Sequence, residues 1–135
     1  MIEIWGKQTL WGGDEEVIVQ DREGMIKHGY SPISGAYYSA RLAVAEYLQS
    51  IQRCARVIII RSVSSEYWAP LGTWVIREAA RKAMANPPVR AVSLDAAVLH
   101  TAAIIGSDRW IPYSTLIPEL RTQLTQSQFL EPSER

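Results

Sequence analysis

Val57-Ile58-Ile59-Ile60-Arg61, near the middle of the chain, is a run of four β-branched residues followed by an arginine. A run of this kind predicts a strand that is buried on both faces, as strands are when helices cover both sides of a sheet. Arg61 would then stand at the carboxyl end of the strand, where the loops of α/β sheets usually form a site. We therefore predict a central strand at residues 57–60 and place the remaining elements around it.

A long helix is predicted before this strand, from about residue 36 to residue 53. Its apolar residues are spaced three or four apart, which is typical of the buried stripe of an amphipathic helix. The residues that we expect to face the core from this helix are Tyr38, Leu42, Ala45, Leu48 and Ile51.

Three further helices are predicted after the strand. Pro70 suits the first turn of a helix that runs to about residue 85, where Asn86-Pro87-Pro88 stops it. Ser93 can cap a helix over residues 94–105. A short helix is predicted over residues 114–124.

Short extended segments are predicted at residues 2–5, 8–11, 17–20 and 89–92. The order of strand, helix, buried strand, helix, short strand and helix implies crossover connections and some parallel pairing. We therefore predict an α+β fold, with a small mixed sheet, a buried central strand and three to four covering helices. An α/β fold is the alternative.

Composition limits the class of protein. The 135 residues suffice for one domain with a core, which we predict to span residues 1–135 with a frayed tail from about residue 126. No apolar run approaches the roughly 20 residues that a membrane helix needs, so we expect no membrane contact. The single Cys54 excludes an internal disulfide, and we expect a cytoplasmic protein.

The net charge is zero, but it is unevenly distributed. Residues 37–100 carry 8 basic and 4 acidic side chains, a net charge of +4. This excess favours a modest anion-binding face in the middle of the chain.

Recognisable catalytic and cofactor motifs are absent from the sequence. His28 and His100 lack metal-ligand spacing, and there is no phosphate-binding glycine loop or dinucleotide fingerprint. We therefore expect no metal, no cofactor and no catalytic residue. A third-ranked hypothesis is a small metal-dependent nuclease or nucleotide hydrolase with carboxylates from Glu66, Glu78 and Asp95.

Aromatic residues stand beside arginines around the predicted helix at residues 70–85. Arg77 lies one turn beyond Trp74 on that helix, and Arg81 lies one turn further. Such a group can stack a base and hold phosphate. The predicted binding residues are Arg41, Arg61, Tyr67, Trp68, Trp74, Arg77 and Arg81. The alternative is that the aromatics anchor the core and the arginines pair with Glu46, Glu66 and Glu78.

Three blocks of the chain resemble, in this order, the C-terminal region of the archaeal Nre proteins, a family implicated in DNA repair. Residues 34–48, SGAYYSARLAVAEYL, resemble the pattern GGYY-x-ARLAV-x-EYL, and residues 57–61 resemble the strand that follows it. Residues 66–78, EYWAPLGTWVIRE, resemble EYW-x-PLG-x-W-x-x-RE. The resemblance covers residues 34–85 well. We expect a non-catalytic, DNA-repair-associated domain that binds nucleic acid or a repair partner.

Members of this family are longer, with an N-terminal region that includes a cysteine zinc site. This chain has neither, so we expect a short stand-alone relative, with an archaeal virus or mobile element as one source. The family's link to the sliding clamp implies a C-terminal motif Q-x-x-L-x-x-F-F or F-L. Gln123, Phe129 and Leu130 fit that motif, whereas Gln126 stands where an apolar residue belongs.

A second hypothesis makes the chain a protein-interaction or oligomerisation module. Five Trp and six Tyr in a neutral chain suit a protein interface as well as a nucleic-acid one. The partners to consider are therefore DNA, the sliding clamp, another repair protein and a second copy of the chain.

Overall fold

The computed structural model describes residues 1–24, 29–69 and 71–123. In chain order the elements are β1 (Ile2–Trp5), β2 (Val17–Gln20), α1 (Gly35–Ser50), β3 (Ile60–Val63), α2 (Trp74–Ala85), α3 (Leu94–Ile105), a 3-10 turn (Ile111–Tyr113) and α4 (Leu116–Thr122). The predicted tail from residue 126 lies outside the described residues.

The three strands form one mixed sheet in the order β2-β1-β3. β1 pairs antiparallel with β2, so that Ile2 faces Gln20 and Trp5 faces Val17. β1 pairs in parallel with β3, which places Glu3 opposite Arg61. All four residues of β1 are buried. The α+β prediction of a small mixed sheet with covering helices is confirmed.

The buried central strand is β1, and the prediction that residues 57–60 form it is wrong. β3 begins only at Ile60 and lies at the edge of the sheet, while Val57 is exposed. β1 is the central strand, since it pairs with β2 on one side and with β3 on the other. Arg61 is consequently the second residue of β3 and does not follow the strand.

Helices cover both faces of the sheet. On one face Ile2 and Ile4 of β1 pack in a cluster with Val98 of α3, Trp110 and Ile117 of α4. On the other face a second cluster joins residues 33, 36 and 37 to Val19 and to Ile76 of α2. Since side chains alternate across a strand, Glu3 points to the same face as α1 and α2.

The buried face of α1 differs from the predicted one. Tyr38, Leu42, Ala45 and Ile51 are exposed, and Leu48 is only half-buried. The residues that α1 buries are Ala36, Tyr37, Ala40, Ala43 and Val44. Mostly small side chains let α1 approach the sheet and α2 closely, which leaves the larger apolar residues on the solvent side.

The start of α2 and two short predicted strands also differ from the predictions. α2 begins at Trp74, not at Pro70, which lies outside the described residues. Residues 8–11 form a turn, because Thr9 Oγ1 donates to the Gly6 carbonyl and accepts from the Gly12 N–H. Residues 89–92 form no strand and are exposed.

α3 has the predicted bounds. Ser93 Oγ accepts the N–H of Ala96 at 3.1 Å, and Gly106 ends the helix in a left-handed conformation, with φ of 77°. Both ends follow from local chemistry, since a serine supplies the missing acceptor and a glycine tolerates positive φ. Among the described residues, no helix is long and apolar enough to cross a membrane.

Candidate binding surface at the start of helix α2

A loop of residues 64–73 joins β3 to α2 and positions the predicted aromatic residues. The Ser64 carbonyl accepts the N–H of Tyr67 at 3.0 Å, which turns the chain at the end of the strand. The Thr73 carbonyl accepts the N–H groups of Ile76 and Arg77, both at 3.1 Å, and so starts the helix. Trp74 is therefore the first residue of α2.

Three of the five tryptophans, Trp11, Trp68 and Trp74, are exposed, and the last two lie in this loop and at the start of α2. Trp68 is 84% exposed and Trp74 is 57% exposed, whereas Trp5 and Trp110 are buried. Trp74 lies against its own loop, because a Cβ added to Gly72 would come within 2.8 Å of Trp74 Cδ1. The alternative that the aromatics of this segment are core anchors therefore does not describe these two residues. We call Tyr67, Trp68 and Trp74 the aromatic surface.

Arg61 is built into the structure below this surface. Its guanidinium carbon lies 5.5 Å from the ring centroid of Tyr67 and 5.5 Å from that of Trp5. Its Nη1 donates to Oε1 of Glu3. The structure thus brings Arg61 and Tyr67 together, but the charge of Arg61 is already balanced by a buried carboxylate.

Arg81 links α2 to α1. Its Nε and Nη2 donate to the two carboxylate oxygens of Glu46, at 2.8 and 2.7 Å, and its Nη1 donates to Glu78 at 2.8 Å. The hydrogen bond from Arg81 is the main reason that the pKa of Glu46 is lowered. Both carboxylates in turn raise the pKa of Arg81. The predicted alternative pairing with Glu46 and Glu78 is therefore present for this arginine.

Arg77 lies one turn before Arg81 and is less well satisfied. Its Nε is 3.5 Å from Oε1 of Glu78, too far for a good hydrogen bond, and that nitrogen is buried without a hydrogen-bond partner. Glu66, the third carboxylate of the alternative, has no ion pair within the residues that the structure describes.

The remaining predicted residues lie outside this group. Arg41 pairs with Glu23, with its Nε 2.9 Å from Oε2. Gln123 follows α4 and is exposed. Phe129 and Leu130, the other residues of the predicted clamp motif, lie outside the described residues.

Glu3 and Glu23 are not among the residues predicted from the sequence. Glu3 accepts from Arg61 and from the indole N–H of Trp5, and Glu23 accepts from Tyr37 and contacts Arg41. Glu3 carried a signal, because a carboxylate between Ile2 and Ile4 in a short apolar strand needs a partner. Glu23 carried none, since it lies in an irregular segment.

The carboxylates of the nuclease hypothesis are held in separate contacts. Glu78 binds Arg81, and Asp95 binds Arg121 with 2.7 Å between Oδ1 and Nη2. Across residues 1–24, 29–69 and 71–123, no group of three His, Cys, Asp or Glu side chains could hold a metal ion.

Comparisons with a family model and with individual proteins point to the same family. The chain matches the family model described as archaeal Nre, C-terminal, over residues 23–129. It is 38% identical over 111 residues to DNA repair protein NreA of Archaeoglobus fulgidus, covering 82% of this chain and 28% of that protein. It is 35% identical over 134 residues to DNA repair protein NreB of the same organism, covering 95% and 34%.

A third relative is DNA repair protein NreA of Haloferax volcanii, 41% identical over 88 residues, which are 62% of this chain and 21% of that protein. The chain thus spans about a fifth to a third of the length of these relatives. No solved structure matches the chain.

Proposed function

Because the chain belongs to the archaeal Nre family, in its C-terminal region, we propose that it is a non-catalytic, DNA-repair-associated domain that binds nucleic acid. The association with repair rests on the names of the relatives, all DNA repair proteins. The binding proposal rests on one observation, the exposure of Trp68 and Trp74 on the aromatic surface.

Trp68 and Trp74 are six positions apart, and both leave much of their apolar surface in water. Burying a large apolar side chain stabilises a fold by about 1.5–3 kcal/mol, and neither indole contributes that here. Exposed apolar patches mark interaction sites. Stacking of a base on an aromatic ring contributes about 1–3 kcal/mol, and every base offers a face for it. Single-stranded DNA, with unpaired bases, is the ligand that best fits this surface.

The nearby arginines would supply the phosphate contacts through exchange of partners. Arg81 can keep its two bonds to Glu46 while its Nη1 moves from Glu78 to a phosphate oxygen. Arg77, whose Nε is buried but whose side chain is 40% exposed as a whole, would offer its terminal nitrogens to the same phosphate. Because carboxylates compete for these groups, we expect a weaker salt dependence than unpaired arginines would give.

The proposal is tested by fluorescence anisotropy with labelled single- and double-stranded DNA at low and moderate salt. Replacing Trp68 or Trp74 by Ala should weaken binding to single-stranded DNA about five- to a hundredfold, the equivalent of one stacked base. Tyr113→Ala is the matched control, because Tyr113 is an exposed aromatic in the 3-10 turn and is not part of the aromatic surface. Loss of binding in the control would mean that the aromatic surface is not the site.

Charge variants test the phosphate contacts. Arg77→Glu with Arg81→Glu should abolish binding, whereas Glu78→Gln should tighten it by releasing Nη1 of Arg81. The nucleic-acid proposal would be overturned if the parent protein did not bind DNA at low salt. It would also be overturned if the parent, the double arginine variant and Glu78→Gln bound DNA equally.

A second candidate ligand is a repair protein. It is favoured by the ion pairs, since Arg41, Arg61 and Arg81 each have a carboxylate partner and the aromatic rings remain the accessible part. Exposed tryptophans are frequent anchors of protein interfaces. In this case Trp68→Ala would still abolish partner binding, while salt and Glu78→Gln would leave it unchanged.

A further inference from the structure

The outer edge of β3 is open. The carbonyls of Ile59 and Val63 accept the N–H groups of Ile2 and Gly6, at 2.8 and 2.9 Å. Backbone groups alternate in direction along a strand, so those of Ile60 and Ser62 point away from β1. Within the described part of the chain, no backbone hydrogen bond reaches that side of Ile60 or Ser62. β3 thus presents an unused row of donors and acceptors.

Helix α2 overhangs this edge without filling the space beside it. A hollow of about 440 Å³ lies beside β3 and α2 and reaches α1. It is lined by residues 59–64, by Val75, Ile76, Ala79, Ala80 and Ala83 of α2, and by Met1, Ala40 and Tyr67. No residue of α2 is fully buried. Because most of these side chains are small, a further backbone can approach the helix closely. We call this space the edge slot, and a fourth strand paired with β3 would lie next to it.

The same chain carries an unpaired segment suited to such a slot. Residues 89–92, Val89-Arg90-Ala91-Val92, are exposed, and Val92 is 100% exposed. They form no element, and the described residues offer them no backbone hydrogen bond. We call them the arm. Its four residues equal β3 in length, and its two valines favour extended structure.

The arm of a chain does not occupy that chain's own edge slot. α2 ends at Ala85, and Ser93, directly after the arm, caps α3 through the N–H of Ala96. α3 is itself fixed, since Val98 is buried in the core. Between these ends the arm lies beside α3, where it lines a separate hollow with residues 96, 97, 100 and 101. It is therefore accessible to another molecule.

We propose that the arm adds as a strand to the edge slot of a second copy of this chain, with the exchange made reciprocally. Each copy offers one arm and one edge slot, so two copies can satisfy each other in a closed two-fold dimer. Backbone hydrogen bonds to Ile60 and Ser62 would supply the register, and Val89 or Val92 would pack under α2. This proposal does not depend on the binding of nucleic acid.

Sedimentation equilibrium over a wide concentration range gives the first test. The mass should double as the concentration rises, and one of the variants Arg90→Pro and Ala91→Pro should remain monomeric. A proline removes the backbone N–H of the residue that it replaces. Only alternate residues of the arm direct that N–H at β3, so proline at one of the two positions should prevent dimerisation and proline at the other should allow it. Both positions are exposed, so both variants should keep the melting temperature of the parent monomer. A monomeric parent, or two variants that dimerise equally, would overturn the proposal.

Cross-linking separates exchange between copies from closure within one chain. In a Cys54→Ser background, a Ser62→Cys protein is mixed with an Ala91→Cys protein of different mass and treated with a flexible bismaleimide. A cross-linked product that contains both proteins is expected. If only a single chain carrying both substitutions cross-links, and does so internally, the arm occupies its own slot and the second copy is excluded.

Discussion

Glu3 and Arg61 face each other across β1 and β3 and form an ion pair in which the Glu3 carboxylate is 1% exposed. Oε1 of Glu3 accepts from Arg61, and Oε2 accepts from the indole N–H of Trp5 at 2.9 Å. The guanidinium of Arg61 lies near the rings of Trp5 and Tyr67. Arg61 therefore connects the central strand β1, through Glu3, to Tyr67 in the loop that carries the aromatic surface.

Removing the charge of Arg61 alone should destabilise the protein severely. Arg61→Met keeps an unbranched apolar stem near both rings but leaves the Glu3 carboxylate buried without its cation, which costs about 3–5 kcal/mol. In the double variant Glu3→Gln with Arg61→Met, the amide oxygen still accepts from Trp5 and no charge is buried. Urea unfolding should show that the double variant recovers at least half of the loss. A double variant as unstable as the single one would contradict the assigned role of the charge.

The ion pair between Glu46 and Arg81 predicts a pH dependence. The pKa of Glu46 in the folded protein is below its ordinary value of 4.5, chiefly because Arg81 donates to it. A carboxyl group with a lowered pKa contributes stability that is fully present above its unfolded pKa and is lost as the pH falls through its folded pKa. Between pH 7 and pH 3, the melting temperature of the parent should therefore fall more than that of Glu46→Gln. Equal falls would show that this pair does not link α1 to α2.

The ends of helix α3 could be predicted from the sequence because their causes are local. Ser93 supplies a cap and Gly106 permits a left-handed turn, whatever lies elsewhere in the fold. The strand at residues 57–60 was misplaced because β-branching does not specify where pairing starts. Pairing with Ile2 and Gly6 of another segment sets that position, and it selects residues 60–63.

The core face of α1 depended on information that periodicity does not carry. Leu42 and Ile51 are more hydrophobic than Ala40 and Ala43, yet the alanines are buried, because close approach to a neighbour requires small side chains. Of the candidate site, the exposed positions of Trp68 and Trp74 agree with the predicted binding role without testing it. The partner of Arg61 could not be found without the strand register that places Glu3 opposite it.

Close packing between α1 and the start of α2 gives a third prediction. A Cβ added to Gly35 would come within 2.4 Å of Cγ2 of Thr73, closer than real contacts allow. Gly35→Ala should therefore lower the free energy of unfolding by about 1–3 kcal/mol, as overpacking does. Thr73→Ser removes that methyl group while keeping the hydroxyl, so Gly35→Ala in the Thr73→Ser background should cost little. Denaturant unfolding of the four proteins measures the coupling, and an equal cost in both backgrounds would contradict it.

Truncation of Trp110 should destabilise the fold strongly, whereas truncation of Trp68 should leave its stability almost unchanged. Trp110 is 1% exposed and packs in the core with Ile2 and Ile117, so Trp110→Ala should cost about 3–5 kcal/mol of unfolding free energy. Trp68 is 84% exposed, so Trp68→Ala should change stability by no more than about 0.5 kcal/mol. Chemical denaturation gives both values, and acrylamide quenching of the parent should lose its most accessible component in Trp68→Ala. A large loss of stability in Trp68→Ala would mean that this indole is held in the fold, and the aromatic surface would then lack the accessible ring on which its binding role depends.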